Sequence, residues 1–424
     1  MNKAINNFRN NYYYYILLFF VFSFFWNIQI STFLLVLLSL IWIFDSFKGL
    51  KENLKIFKNP LFYLTSITWL WSVVGLFYSS DFDHGIFILG VSACMIVCPI
   101  VFYSVSQKEQ FLTKKQIRRI FYFFAVGSSS TALFCLVKSY FNQLSNPELN
   151  ALSYTNLIHV PLSPGSLGNY VVFTLIVLLL SLCNISPFQE GKSKKTKLTL
   201  CFLILFNLLF LFLLQAKAAI LAFVAVLVVL VIYVFFKRFN VIKALVICFC
   251  FFIIGGGFLL KNGLEVFGSR FDGLLNTKKE FSKTSNTSNN LRLSAIHGSL
   301  YIIKNNFWFG VGTGAVKSEL TRFYHNNGYT QAEKHKTDTH NQILRSFAKH
   351  GVFGLLTVLI VFLVPFYLGL KYRSILFVLF GVLQLVVAQA GDLLDNQPGI
   401  VFHSFLTCFL VFIYLPKHKN ININ

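Results

Sequence analysis

Long apolar blocks separated by short polar turns dominate this chain. A helix needs about 20 mostly apolar residues to cross a bilayer, so charge-poor runs of that order are candidate spans. Twelve such runs are predicted, at 12–26, 31–47, 61–78, 86–105, 119–141, 167–185, 198–214, 218–236, 241–260, 351–370, 373–391 and 398–415. The first two are short and share a tight turn at Asn27–Ile30, and no small-residue cleavage site marks the first as a removable signal peptide. Between the ninth and tenth runs the pattern changes, and residues 261–350 are mixed and polar. The fold class this predicts is an all-α polytopic membrane protein of about 12 transmembrane helices, with a large, partly helical loop between spans 9 and 10. Its expected parts are an N-terminal membrane bundle (1–260), the loop (261–350), and three C-terminal spans with a short tail (351–424).

Composition agrees with that pattern. Only 12% of the 424 residues are charged and 56% are apolar, where a soluble domain carries about a quarter charged. The net charge of +22 invites a nucleic-acid reading, but the placement of the charges argues against it. With the N-terminus inside, the short loops on the cytoplasmic side hold 22 Lys and Arg, including Lys48–Lys58, Lys114–Arg119 and Lys192–Lys197, whereas those on the other side hold only Lys217. Short-loop Lys and Arg stay cytoplasmic, so both termini are expected to face the cytoplasm. The 261–350 loop lies outside with 13 basic and 6 acidic residues. A loop of that length crosses regardless of charge, so its excess reflects either a solvated, headgroup-facing surface or an anionic substrate. All 8 cysteines fall inside predicted spans and read as small apolar fillers.

The spans offer little chemistry. Asp45 and Lys138 lie near span ends, and no internal repeat or buried charge chain suggests a transporter. Polar residues concentrate in the outer loop. Asn289–Asn306 reads as an amphipathic helix lying in the interface, with Leu291, Ala295, Ile296, Ile302 and Ile303 among its apolar residues. Gly310-Val311-Gly312-Thr313-Gly314 follows, and a sharp turn explains it better than a phosphate cradle, since no strand precedes it. Next, Thr337, Asp338 or Thr339 can cap a helix whose first turn holds His340 and whose apolar face holds Ile343, Leu344 and Phe347. There the positive end of the helix dipole favours the neutral ring that a general base requires. A histidine that only hydrogen-bonds at the interface is the plainer reading, and His335 and His350 are rivals nearby. Asp81-Phe82-Asp83 is either a divalent-metal pair or the cap of the fourth span. Asp392 and Asp395 either orient a substrate hydroxyl, pair with a loop arginine, or cap the final span.

Together these residues resemble the O-antigen ligase family and the related O-antigen polymerases. The resemblance rests on Asn290-Leu291-Arg292, Gly310-Val311-Gly312-Thr313-Gly314, His340-Asn341 and Gly351-Val352-Phe353-Gly354, in that order, within a late external loop. It is strongest over 289–356. It implies a periplasmic loop in a bacterial inner membrane protein with its active site on the periplasmic face. The implied reaction moves a glycan from undecaprenyl pyrophosphate to a sugar hydroxyl of lipid A-core, inverting the anomeric carbon, without metal or other cofactor. His340 is then the implied catalytic base, Arg292, Lys217 and Arg270 the pyrophosphate-binding cations, and Asn341 and Asp392 supporting residues. The family usually carries Ser-Arg-Gly where this chain has Gln215-Ala216-Lys217-Ala218, so Lys217 keeps the charge but loses the bidentate fork. The partners implied are the carrier-linked donor, a lipid A-core or other glycan acceptor, and the bilayer, with no nucleic acid. A polymerase or a protein-glycosylating transferase shares the donor chemistry, and a polysaccharide transporter or flippase is the alternative from another class.

Overall fold

The protein is described by a computed structural model covering residues 2–46, 54–107, 111–237 and 282–419. Those residues form helices and connecting turns, with no strand among them. In chain order the membrane-type helices are α1 (Asn2–Ser23), α2 (Ile28–Ser46), α3 (Pro60–Leu76), α4 (Phe82–Val91), α5 (Cys94–Ser106), α6 (Lys114–Ser145), α7 (Pro164–Leu182), α8 (Lys194–Leu213) and α9 (Lys217–Lys237). A smaller group follows, α10 (Ser288–Asn305), α11 (Val316–Asn326) and α12 (Thr330–Lys334), and then α13 (Gln342–Lys371), α14 (Ile375–Ala388) and α15 (Gln397–Cys408). Through a π-helical turn at Phe409–Tyr414, α15 continues into Leu415–Lys419.

Eight helical stretches among the described residues are long and apolar enough to cross a membrane, and three shorter apolar helices accompany them. This is a polytopic helical membrane protein. Every predicted span within the described residues coincides with one of these helices, while the span at 241–260 lies outside the described residues. The predicted span at 86–105 is two helices, because the chain breaks at Ser92–Ala93 between α4 and α5.

Local chemistry sets the helix starts. Asn59 caps α3 by accepting from Leu61 N, with Pro60 in the first turn where a missing N–H is harmless. Thr113 and Gln116 form a reciprocal capping box on α6. Within the bundle the few polar side chains pair across helices. Asn207 on α8 accepts from Ser128 at 2.7 Å and donates to Ser129 at 2.8 Å, both on α6, which satisfies groups that a bilayer would leave unpaired. Residues 399–415 are all buried, whereas on α2 only Ile28, Ser31, Leu35 and Leu38 are, among the described side chains. The last helix is therefore the hub. Around it, Phe24, Phe124, Tyr170, Phe402 and Phe405 interlock, with Tyr170 and Phe402 4.8 Å apart between ring centres.

The helix ends sort into two groups. At one, Arg118 pairs with Glu190, Tyr122 meets Ser181 at 2.7 Å, and Tyr414 packs near Phe121 and Phe377. That end collects the basic residues that open α6 and α8, those that close α13, and those beyond Tyr414. At the opposite end Gln397 donates to Thr32 at 2.9 Å and Tyr170 donates to the Pro398 carbonyl at 2.9 Å. There the small helices α10–α12 sit, and with them the polar site.

Candidate active site

The expected amphipathic helix is α10. Its Ala295, Ile302 and Ile303 are buried, and the two isoleucines join a small apolar core with Val316, Leu320, Phe323 and Tyr324 of α11 and Ala348 of α13. Ile296 points outward instead. The chain then turns through Gly310–Gly314 directly into a break in α13, where His350 (φ −134°) and Gly351 (φ 63°, ψ −153°) leave the helical conformation. Val311 N and Gly312 N donate to the carbonyls of Ala348 and Lys349 at 3.0 and 2.9 Å, and Val352 N donates to the Phe307 carbonyl at 2.9 Å. The turn thus supplies the partners that the broken helix lost. A Cβ on Gly351 would stand 2.2 Å from the Trp308 backbone, and one on Gly314 would stand 1.9 Å from the Asp81 carbonyl. These glycines serve close backbone packing, and Gly310 (φ 68°) and Gly312 (φ 92°) make the sharp turn expected of 310–314.

Beneath the break lies a small polar cavity lined by, among others, Ser72, Gln342, Ser346, Lys349, His350 and Asp395. His350 is buried there. Its Nε2 is 3.2 Å from the Ser72 hydroxyl, and its Nδ1 is 3.4 Å from the Tyr78 hydroxyl, which donates to the Phe309 carbonyl at 2.7 Å. Of the two rival histidines, His350 is thus enclosed, and His335 closes the short α12 at the surface.

The segment Asp338–Asn341 corrects one expectation. The helix is capped by Asn341, whose side-chain oxygen accepts from Ile343 N and Leu344 N at 2.9 and 3.0 Å. His340 precedes the cap and lies outside the first turn. Asp338 and Thr339 cannot cap because they are engaged elsewhere: Asp338 pairs with Arg345, and the Thr339 hydroxyl donates to Asp392. His340 itself is in the left-handed region (φ 49°), which costs an L-residue about 1–2 kcal/mol. Surrounding bonds impose that conformation. His340 N donates to Asp392 Oδ2 at 3.3 Å, and Asn341 Nδ2 reaches the Gln389 carbonyl and side chain at 3.4 and 3.3 Å. The imidazole is exposed and has no hydrogen-bonding partner among the described residues.

Behind the loop is a buried charge cluster, of which the sequence singled out Asp392 and Asp395 but neither Arg345 nor Lys349. Arg345 pairs with Asp338, lies 3.9 Å from Asp392 Oδ2, and places Nε 3.2 Å from Asp395 Oδ2. Lys349 Nζ is 2.9 Å from Asp395 Oδ1. Gln342 donates to Asp395 at 2.8 Å and accepts from Leu394 N at 2.7 Å. Both aspartates therefore pair with the arginine, one of the readings left open, while Asn396 caps α15 by accepting from Gly399 N. Their electrostatics diverge. Burial pushes the Asp395 carboxyl up, but Lys349 and Arg345 outweigh it and hold the group well below the carboxylate range. Burial raises Asp392 as well, and there the opposing pull of Arg345 does not overcome it, with Asp338 adding to the rise. The sequence signal for this cluster is Arg345 and Lys349 one turn apart at a helix start; Asp392 and Asp395 are open to a loop arginine, but nothing in the chain says which one.

The remaining expected residues are dispersed. Arg292 is on the exposed side of α10, away from the charge cluster's bonds. Lys217 opens α9 at the same end of the bundle as the site: a Cβ on Gly168, in the first turns of α7, would touch Ala216 and Ala219 beside it, and Tyr170 of α7 bonds to Pro398. Arg270 lies outside the described residues. Asp81 caps α4 by accepting from His84 N at 3.1 Å. Among the described residues no group of three or more His, Cys, Asp or Glu side chains is arranged for a metal.

Residues 201–359 match a family model described as O-antigen ligase. The matched stretch carries Lys217, the glycine turn, His340 and Arg345 and stops short of Asp392. The match supports assignment to the O-antigen ligase family and, with the apolar helices, an integral membrane enzyme of the ligase or polymerase type. No curated protein matches the chain.

Proposed function

We propose that this protein transfers a glycan from an undecaprenyl-pyrophosphate carrier to a sugar hydroxyl of lipid A-core on the periplasmic face of the inner membrane, as an O-antigen ligase does. The observation that carries this reading is His340: an exposed ring without a hydrogen-bonding partner among the described residues, on a backbone pinned from both sides, at the end of the bundle opposite the basic turns. Short-loop cations stay on the cytoplasmic side, so that placement supports a periplasmic site with both termini inside. A carrier lipid confined to the bilayer presents its pyrophosphate at the same level.

In this mechanism His340 takes the proton of the acceptor hydroxyl as its oxygen attacks the anomeric carbon opposite the phosphate. The C–O bond to the pyrophosphate breaks with inversion, and the departing pyrophosphate carries its negative charge to fixed cations. Arg292, Lys217 and Arg270 are the proposed cations, with Asn341 and Asp392 holding the histidine. No metal or other cofactor enters the scheme. Support for the cations is the resemblance together with the placement of Lys217 at the site end and the exposure of Arg292.

The test is the glycan phenotype of a deletion strain complemented by wild type, His340→Ala or Arg292→Ala, with membrane levels checked by immunoblot. A ligase leaves complete carrier-linked polymer beside bare core when it is deleted, and His340→Ala should reproduce that state at a normal membrane level. Single repeat units on the core would instead make it a polymerase. Normal glycan in the His340→Ala strain would remove the general-base role, and unchanged donor dependence in Arg292→Ala would take that residue out of the site.

A further inference from the structure

We infer that Arg345 is the positioning residue of this site, fixing the His340 loop by joining its aspartate to those of the turn between α14 and α15. The inference rests on the general-base reading of His340 and extends it to a residue that reading does not use. Arg345 lies one turn inside α13, its side chain 6% exposed, and its guanidinium points back along the helix to the loop. Nη1 faces Asp338 of the loop and Asp392 of the turn, and Nε faces Asp395. Only Nη1 makes a hydrogen bond among the described residues, to Asp338, and Nε stands within ion-pair distance of Asp395 without one. A substrate pyrophosphate would still have to reach a nearly buried side chain already faced by three carboxylates. The arginine therefore acts through its neighbours.

The consequence runs through Asp392. This one carboxylate accepts from both the Thr339 hydroxyl and His340 N, so its position sets the left-handed turn that presents the ring. Without the guanidinium, Asp338 and Asp392 would be like charges facing each other. Lys349 does not replace it, since its bond goes to Asp395. Asp392 would swing away and release both donors at once. A lysine at 345 restores the charge at a single point but cannot span three carboxylates, so the exchange is not conservative here.

The experiment uses the full chain in proteoliposomes with an undecaprenyl-pyrophosphate-linked glycan donor and lipid A-core acceptor. It compares kcat, donor KM and thermal midpoint for wild type, Arg345→Lys, Asp338→Asn, His340→Ala and the Arg345→Lys/His340→Ala double variant. A misplacement of about 1 Å can cost roughly a hundredfold in rate, so Arg345→Lys should lower kcat by about ten- to a hundredfold with donor KM nearly unchanged. Asp338→Asn removes only the loop end of the bridge and leaves the buried Asp395 contacts, so it should stay folded and lose about tenfold in kcat. In the His340→Ala background Arg345→Lys should remove no further activity, because the arginine works only through the histidine.

A donor KM that rises while kcat holds would overturn the inference by making Arg345 a substrate ligand. Full activity of Asp338→Asn, with losses in Arg345→Lys that merely follow its thermal midpoint, would overturn it by making the arginine structural. An inactive His340→Ala beside fully active Arg345→Lys and Asp338→Asn would refute positioning alone. A His340→Ala variant that transfers normally would remove the general-base reading itself.

Discussion

At the basic end of the bundle Lys114, Lys115, Lys194, Lys195 and Lys197 stand exposed, and Glu190, the partner of Arg118, is 49% exposed. At the opposite end Arg345 and Lys349 are nearly enclosed, and they share Asp338, Asp392 and Asp395. The first arrangement has many cations and few partners; the second has two cations and three carboxylates. Exposed pairs contribute about 0–1 kcal/mol because water already solvates both ions. A buried pair behaves differently, since removing one partner strands the other in a medium that cannot solvate it. Net charge thus describes the basic end well and says almost nothing about the site, where the charges nearly cancel and geometry decides.

Three substitutions would break or sharpen that contrast. The largest loss of stability is expected from Asp395→Asn, which strands Lys349 and part of Arg345, at about 3–5 kcal/mol for one-sided loss of a buried pair. Thermal unfolding in detergent measures it, and a midpoint near wild type would make the cluster dispensable. The pH dependence has a defined sign. Asp395 is held below its unfolded range, so its contribution is complete above about pH 4 and fades as pH falls through the folded value. The gap between wild type and Asp395→Asn should therefore be constant near neutrality and narrow only in acid.

A smaller loss is expected from Gly351→Ala. Its backbone lies in a region almost reserved for glycine, worth about 1–3 kcal/mol of strain in an L-residue, and the added Cβ would press on the Trp308 backbone. An unchanged thermal midpoint would contradict the docking of the glycine turn into the helix break. The smallest effect belongs to Glu190→Gln at the basic end, within about 1 kcal/mol; a drop as large as that of Asp395→Asn would erase the distinction between the two ends.

What could be read from the chain alone follows the same division. Apolar blocks locate helices because burial in lipid is a one-dimensional property of sequence, and the glycine turn is legible because alternate glycines demand an unusual backbone. His340 is visible through its neighbours Asn341 and Gly351–Gly354. The break at His350–Gly351 and the one at Ser92–Ala93 are not, since tertiary contacts make them: the carbonyls of Ala348 and Lys349 bond to a turn nearly forty residues earlier. Asn341 won the capping position for a similar reason, because Asp338 and Thr339 are committed to Arg345 and Asp392. A loop arginine is one reading of Asp392 and Asp395, but only the fold makes it Arg345 and adds Lys349.

The central claim is that His340 is the base that deprotonates the acceptor. It is tested most directly by single-turnover glycan transfer in proteoliposomes, comparing wild type and His340→Ala with and without added imidazole. The account predicts a loss of about a hundredfold to ten-thousandfold, part of it restored by imidazole entering the vacated space. Transfer by His340→Ala at nearly the wild-type rate, indifferent to imidazole, would contradict it.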